Sequence, residues 1–263
     1  MRIIRFNQNG KPTWARRIDE VSAERMAGDL ITALTPTGET IAVGKLLAPL
    51  VPVDILCIGL NYRDHAAETG ATVPENPMLF IKAGNTLNDP DAPIPMPRRS
   101  TAIDYEGELV VVIGKDAKDV ARADAMDYVL GYTVGNDVTA RDWQKDKNLG
   151  GGQFARGKSF DKFCPLGPAV VTKDEVPNPN ALKITTTLNG QTMQAGTTAD
   201  MIFDIPALIE SLSSTMTLRA GAVIMTGTPA GVGTARKPPV YMKAGDTVVV
   251  KIELIGKLSN HLV

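Results

Sequence analysis

The sequence predicts a β-rich α+β fold, a mixed-strand body with a few short helices and a small β-containing module at the N-terminus. Three observations carry this. Aromatics make up 5% of the chain, whereas 24 glycines and 18 prolines are spread along 263 residues, the composition of many short strands and turns. Asn9-Gly10 and Asn189-Gly190 each sit between strand-like runs, the signal of tight hairpins. Helical spacing of apolar residues is confined to isolated stretches.

In chain order, residues 2–6 and 41–44 read as short strands, the first turning back through Asn9-Gly10 towards Trp14. Ser22 to Leu30 reads as a short helix. Pro49 and Pro52 forbid a central strand in Leu46–Val53, which therefore divides a module of residues 1–52 from a main domain of 53–263. That domain opens with Asp54–Gly59, a buried-strand pattern, and a helix start at Asn61–Glu68. Gly70, Pro74, Asn76 and Pro77 make 70–77 a loop, and Asp89–Pro97 is a second irregular connection. Ile103–Ile113 is the strongest strand, and Val120, Ala123, Met126, Val129 and Leu130 give Asp119–Leu130 a helical spacing. Leu182–Leu188 and Gln191–Gln194 flank Asn189-Gly190 as a hairpin. Asp204 and Pro206 start a helix with Leu208, Ile209 and Leu212 inward. Ala222–Met225 and Thr247–Leu254 are late strands, and His261 falls in a solvated tail to which no role is assigned.

Composition excludes several functions. Lys+Arg 28 against Asp+Glu 29 leaves a net charge of −1, no electrostatic basis for gripping nucleic acid or an anionic membrane. No apolar run approaches the roughly 18 residues of a membrane span. Met1–Gln8 lacks the features of a signal peptide, and Cys57 and Cys164 form no CxxC, so two reduced, buried thiols in a cytoplasmic protein are expected. His65 and His261 are the only histidines, so a metal site would be built mainly from carboxylates and suit Mg²⁺ or Mn²⁺ better than zinc.

Glu106 and Glu108 interrupt an otherwise apolar strand. Alternation places them on one face with Val110 and Val112, about 6.6 Å apart along the chain, while Leu109, Val111 and Ile113 fill the other. Close carboxylates repel unless a cation or proton lies between them; a frayed strand end in water is the plainer alternative. Asp137, closing the apolar run Gly131–Asn136, could complete an oxygen site for an octahedral ion, or simply cap a turn. His65 and Glu68, three residues apart on a helix, can hydrogen-bond and make a general base for water; a solvated helix start is the alternative. Gly152–Ser159 has the spacing of a phosphate loop, but no buried strand precedes it and Pro165 follows, so only Lys158 is kept, as a fixed charge facing an anionic oxygen. Thr226–Gly233 follows a strand, and its glycines allow close backbone approach to a ligand.

Taken in order, Gly59–His65, Asp104–Glu108, Gly135–Gln144, Gly157–Asp161 and Thr226–Pro229 resemble the fumarylacetoacetate hydrolase superfamily, in its acylpyruvate hydrolase, oxaloacetate decarboxylase and 2-hydroxyhepta-2,4-diene-1,7-dioate isomerase-like branch. The resemblance runs from about Leu46 to the C-terminus. It implies a mixed β-sandwich roll, usually a homodimer, with metal ligands Glu106, Glu108 and Asp137 for Mg²⁺ (Mn²⁺ or Ca²⁺ able to substitute). It also implies His65, Glu68 and Lys158 as catalytic residues, Arg141, Gln144 and Thr228 as substrate-lining residues, and a lid near Thr69–Asn76. Ala222 stands where the family commonly carries Asp, away from the site.

The expected activity is hydrolysis of a C–C bond in a β-dicarbonyl acid such as an acylpyruvate, giving a carboxylic acid and pyruvate, with water activated by the His65–Glu68 pair. Oxaloacetate decarboxylation, or isomerisation of an unsaturated 2-oxo diacid, is the alternative on the same metal site. A non-catalytic small-oxo-acid binder is the alternative of another class.

Overall fold

The computed structural model describes residues 1–263. Its N-terminus is an antiparallel meander of β1 (Arg2–Gln8), β2 (Lys11–Arg17), β3 (Ser22–Asp29) and β4 (Ala33–Ala42). Asn9 and Gly10 take φ of 52° and 84°, the left-handed pair whose twist suits a two-residue hairpin. Ser22–Asp29 is a strand and not the expected helix. A bulge between Glu24 and Met26 brings Ala23 and Met26 to the same buried side, so a strand reproduces the three-residue spacing of a helix.

The main strands are β5 (Ile55–Gly59), β6 (Met78–Ile81), β7 (Gly107–Ile113), β8 (Val129–Asn136), β9 (Cys164–Thr172), β10 (Lys183–Leu188), β11 (Gln191–Thr197), β12 (Val223–Met225), β13 (Thr247–Ile252) and β14 (Gly256–Leu262). The large mixed sheet runs β4-β3-β2-β1-β9-β8-β7-β12-β5-β6, so the N-terminal meander extends it through β1 and β9. A second sheet runs β11-β10-β13-β14, closed by the short strand Pro93–Ile94 within the stretch expected to be irregular. The C-terminus is thus a strand and not a tail, although His261 itself is exposed. Gly221 takes φ of 87° and the turn into β12 forms with Ala222 fully buried, so the departure at that position leaves the turn intact.

Short helices sit at the strand ends: α1 (Arg63–Thr69), α2 (Arg141–Lys145), α3 (Lys147–Gly150), α4 (Phe154–Lys158) and the longer α5 (Ile205–Thr215). Asp204 caps α5 by accepting from Ala207 N at 3.0 Å, with Pro206 in the first turn. Asp119–Leu130 shrinks to a 3₁₀ helix over Arg122–Tyr128, because Val129 and Leu130 are already in β8.

β7 is the centre of the molecule and is buried on both faces. Leu109, Val111 and Ile113 pack with Ile184, Val250 and Ile252 of the second sheet and with Leu208, Ile209 and Leu212 of α5. Val110 and Val112 pack on the other side with Cys57, Cys164 and Met225. Both thiols are buried and unpaired. Ile103–Ile113 is not one continuous strand: Ile103–Asp104 pairs with Thr139–Ala140, Gly107 pairs with Asn136, and both chains leave the ladder over Tyr105–Glu106 and Asp137–Val138. That gap lies at the end of a rigid, doubly buried strand, and it holds two of the acids singled out above.

Candidate active site

A cavity of about 510 Å³ opens at this gap. Eight of the nine residues named from the sequence line it (His65, Glu106, Glu108, Asp137, Arg141, Gln144, Lys158 and Thr228), and Glu68 stands behind His65. Ile58, Met78, Phe80 and Phe154 supply apolar walls.

The floor is a buried ion network. Lys158 Nζ donates to Glu106 Oε2 and to Asp137 Oδ2, each at 2.5 Å. Arg141 donates from Nη2 to Glu106 Oε1 at 2.5 Å, from Nε to Asp104 Oδ2 at 2.8 Å and from Nη1 to Gln144 Oε1 at 2.9 Å. Lys82 Nζ donates to Asp137 Oδ1 at 2.6 Å and to Val138 O at 3.1 Å. Gly157 is what lets Lys158 reach in: a Cβ there would lie 2.7 Å from Gln144 N and 2.8 Å from Ala140 O, so only glycine lets α4 press onto α2.

Glu106 and Glu108 differ sharply. Burial works against ionisation of Glu106, yet the Arg141 and Lys158 charges outweigh it and hold its carboxyl well below the ordinary range. Glu108 is 2% exposed, accepts one bond, from Gly227 N at 2.8 Å, and forms no ion pair. Burial, then Asp137 and Glu106, push its carboxyl well above the ordinary range. One ligand oxygen from each of Glu106, Glu108 and Asp137 lies within 4.8 Å of the others. A buried acid lacking a cationic partner, facing two more, is what a hard divalent ion would satisfy, and the all-oxygen donor set suits it. The residues fit such an ion.

His65, 9% exposed, shares a proton with Glu68 through Nδ1 and Oε1 at 2.7 Å. A carboxylate only accepts, so Nδ1 carries the hydrogen and Nε2 is left as the basic nitrogen. Glu68 Oε2 accepts from Gly231 N at 2.8 Å. Gly231 has φ of 104°, and a Cβ there would meet Met193 O at 2.2 Å. Thr69 and Ala71, at the start of the stretch implied to be a lid, line the cavity. Thr228 donates to Gly107 O at 3.0 Å and accepts from Gln194 Nε2 at 2.7 Å, while Gln194 Oε1 accepts from Gly107 N at 3.0 Å. Thr228 therefore braces the acid-bearing segment as well as lining the cavity.

Sequence reasoning missed Lys82 and the part played by Asp104. Asp104 accepts from Gly233 N, Thr234 N and Arg141 Nε at 2.8–2.9 Å. A lone lysine closing the apolar run Met78–Ile81 carries no motif.

A rigid sheet that ends in three converging carboxylates and a His–Glu pair defines a class: a small-molecule enzyme whose buried carboxylates could hold a divalent cation. A family model described as fumarylacetoacetate (FAA) hydrolase C-terminal matches residues 54–263, and one described as Rv2993c-like, N-terminal matches residues 1–49. The chain belongs to the fumarylacetoacetate hydrolase family and is an enzyme of that superfamily, whose members use divalent metals. It is 49% identical over 220 residues to the mitochondrial oxaloacetate tautomerase fahd2 of Xenopus laevis, covering 83% of this chain and 68% of that protein. It is 47% identical over 223 residues to the oxaloacetate tautomerase YisK of Bacillus subtilis, covering 83% and 73%. The crystal structure of a 2-hydroxyhepta-2,4-diene-1,7-dioate isomerase from Mycobacterium marinum superposes with a TM-score of 0.86 at 37% identity, covering 100% of this chain and 98% of that one. No helix is long and apolar enough to cross a membrane.

Proposed function

We propose that the enzyme moves a proton at C3 of a 2-oxo diacid of the oxaloacetate class, interconverting its keto and enol forms. The observation that carries this is the oriented His65–Glu68 pair in the wall of a cavity whose floor holds three converging acids. The names of the relatives support it, since tautomerase and isomerase both describe rearrangements.

Glu106, Glu108 and Asp137 would hold a divalent ion, Mg²⁺ or Mn²⁺, which when bound supplies Lewis-acid polarisation of the substrate's 2-oxo group. His65 Nε2 accepts the C3 proton, Glu68 stabilises the resulting imidazolium, and the same proton is returned to the enolate oxygen, so no atom is gained or lost. Lys158 has three N–H groups, two committed to Glu106 and Asp137, which leaves one for the enolate oxygen. Arg141 spends three of its five N–H groups on Asp104, Gln144 and Glu106, leaving two for a carboxylate. Gln144 accepts through its oxygen, so its amide N–H groups are free to donate.

The activity expected first from the sequence, acylpyruvate hydrolysis, is the second reading, because the same His–Glu pair could activate water. Decarboxylation needs Lys158 and the ion but no base. The test follows one sample two ways: enol absorbance, and pyruvate by coupled reduction. With freshly dissolved enol-oxaloacetate and Mg²⁺, accelerated enol loss without matching pyruvate is expected. Uncatalysed enol loss together with pyruvate release from oxaloacetate, or from an acylpyruvate, would replace the proposal by decarboxylation or hydrolysis. We extend the family expectation to a cytoplasmic homodimer, measurable in solution by light scattering.

A further inference from the structure

We propose that Lys145 binds the distal carboxylate of the substrate, so that the cavity selects 2-oxo diacids over 2-oxo monoacids. This rests on the 2-oxo acid reading of the site and names its specificity. The argument begins with α2. Arg141, Gln144 and Lys145 stand at i, i+3 and i+4, one face of the helix, and all three line the cavity. Arg141 belongs to the floor through Glu106, and four residues of helix carry the same face about 6 Å further along the axis to Lys145. That is the scale of a four-carbon chain bearing an acid at each end.

The floor cations are neutralised already: Lys158 and Lys82 by Asp137, and Arg141 by Asp104 and Glu106. Lys145 forms no ion pair. Its side chain makes one bond, Nζ to Thr234 Oγ1 at 2.9 Å, an acceptor that fixes the ammonium without neutralising it and leaves two N–H groups free. The anchor is itself held. Thr234 N donates to Asp104 Oδ2 at 2.9 Å, and the Thr234 hydroxyl lies 3.3 Å from Tyr241 Oη. Asp104 also grips Arg141 Nε, so one carboxylate positions both cations of the face. Partial burial and the neighbouring Arg141 charge hold the Lys145 ammonium below the usual lysine range. Arg141 repels the Lys145 ammonium more than either Asp104 or Glu106 attracts it, and an anionic ligand relieves that repulsion. Lys147 also lines the cavity and, like Lys145, is exposed, but its side chain has no polar partner, which makes it the control for the general field of the rim.

The test is calorimetric and uses the whole protein with Mg²⁺. The ligands are 3,3-difluoro-oxaloacetate, a diacid without a C3 hydrogen, and 2-oxobutyrate, a monoacid. Lys145→Met is expected to lower the ratio of diacid to monoacid affinity about tenfold, as loss of one charge-assisted contact does. Lys145→Arg should restore most of it, and Lys147→Met should leave the ratio near the wild-type value. An unchanged ratio in Lys145→Met, or an equal fall in Lys147→Met, overturns the assignment. A wild type that fails to convert enol-oxaloacetate but loses its diacid preference in Lys145→Met would refute the proposed reaction and leave this inference standing. Enol conversion with an unchanged ratio does the reverse.

Discussion

Glu106 and Glu108 are two residues apart, chemically identical and both buried, yet their amide replacements should move stability in opposite directions. Glu106→Gln removes the shared partner of Lys158 and Arg141 and strands part of two buried positive charges. Breaking a buried ion pair from one side costs about 3–5 kcal/mol. At roughly 2–4 °C per kcal/mol for a chain of this size, the melting temperature should fall by about 6–20 °C. Glu108→Gln removes a carboxylate that has no cation, while the amide oxygen can still accept from Gly227 N. Its effect should lie between nil and a gain of about 2 kcal/mol, because burial, Asp137 and Glu106 already disfavour the ionised carboxylate and a neutral amide escapes that penalty. Thermal unfolding in a strong chelator reads both. In the wild type, Mg²⁺ at 100 times its Kd should add about 2.7 kcal/mol, and that increment should vanish in both variants. The reasoning fails if the two variants are destabilised equally in chelator, or if Glu108→Gln keeps its Mg²⁺ response.

Three further outcomes are expected. His65→Ala should slow enol conversion by about 10²–10⁴-fold with little change in melting temperature, and a wild-type rate would remove it as the base. Lys82→Met, which leaves Asp137 to Lys158 alone, should cost about 3–5 kcal/mol in chelator, part of it recovered with Mg²⁺; stability equal to wild type in chelator would deny the pair its structural weight. Burial pushes the Tyr105 hydroxyl up to about 12, and Tyr62 and Tyr132 further still. The fold therefore holds these phenols neutral while an unfolded chain ionises near pH 10, so their contribution is intact below about pH 10 and is lost as the pH rises towards 12 and beyond. Denaturant melts should lose about 1.4 kcal/mol per pH unit for each such group, and a spectrophotometric titration in which all five tyrosines of the folded protein ionise near pH 10 would contradict it.

What could be read from the chain was what lies close along it. Two acids two residues apart at the head of the apolar run Leu109–Ile113, or a histidine three residues from a glutamate, are local patterns that the sequence leaves with a functional and a plainer reading, and the structure brings Glu106, Glu108 and His65 to one cavity. Lys82 was not legible because its partner Asp137 lies 55 residues on. The break in the strand at Tyr105–Glu106 was hidden for a related reason: Asp104 is turned by backbone donors at Gly233 and Thr234, about half the chain away. Ser22–Asp29 misled by coincidence of period, since one bulge gives a strand the inward spacing of a helix. Proximity in space decided the misses at Lys82 and Asp104, and a coincidence of period the one at Ser22–Asp29.

Gln194 sits on a hairpin that contributes no charge and no base to the chemistry, yet its single amide clasps Gly107 on one side and the Thr228-Pro229 loop on the other. The hairpin is in effect a splint across the join between the two acids and the glycine loop that meets them. Harm to an inert-looking segment of the second sheet would then register as poor cation retention, and a screen for inactive variants would find this glutamine among the acids it never touches.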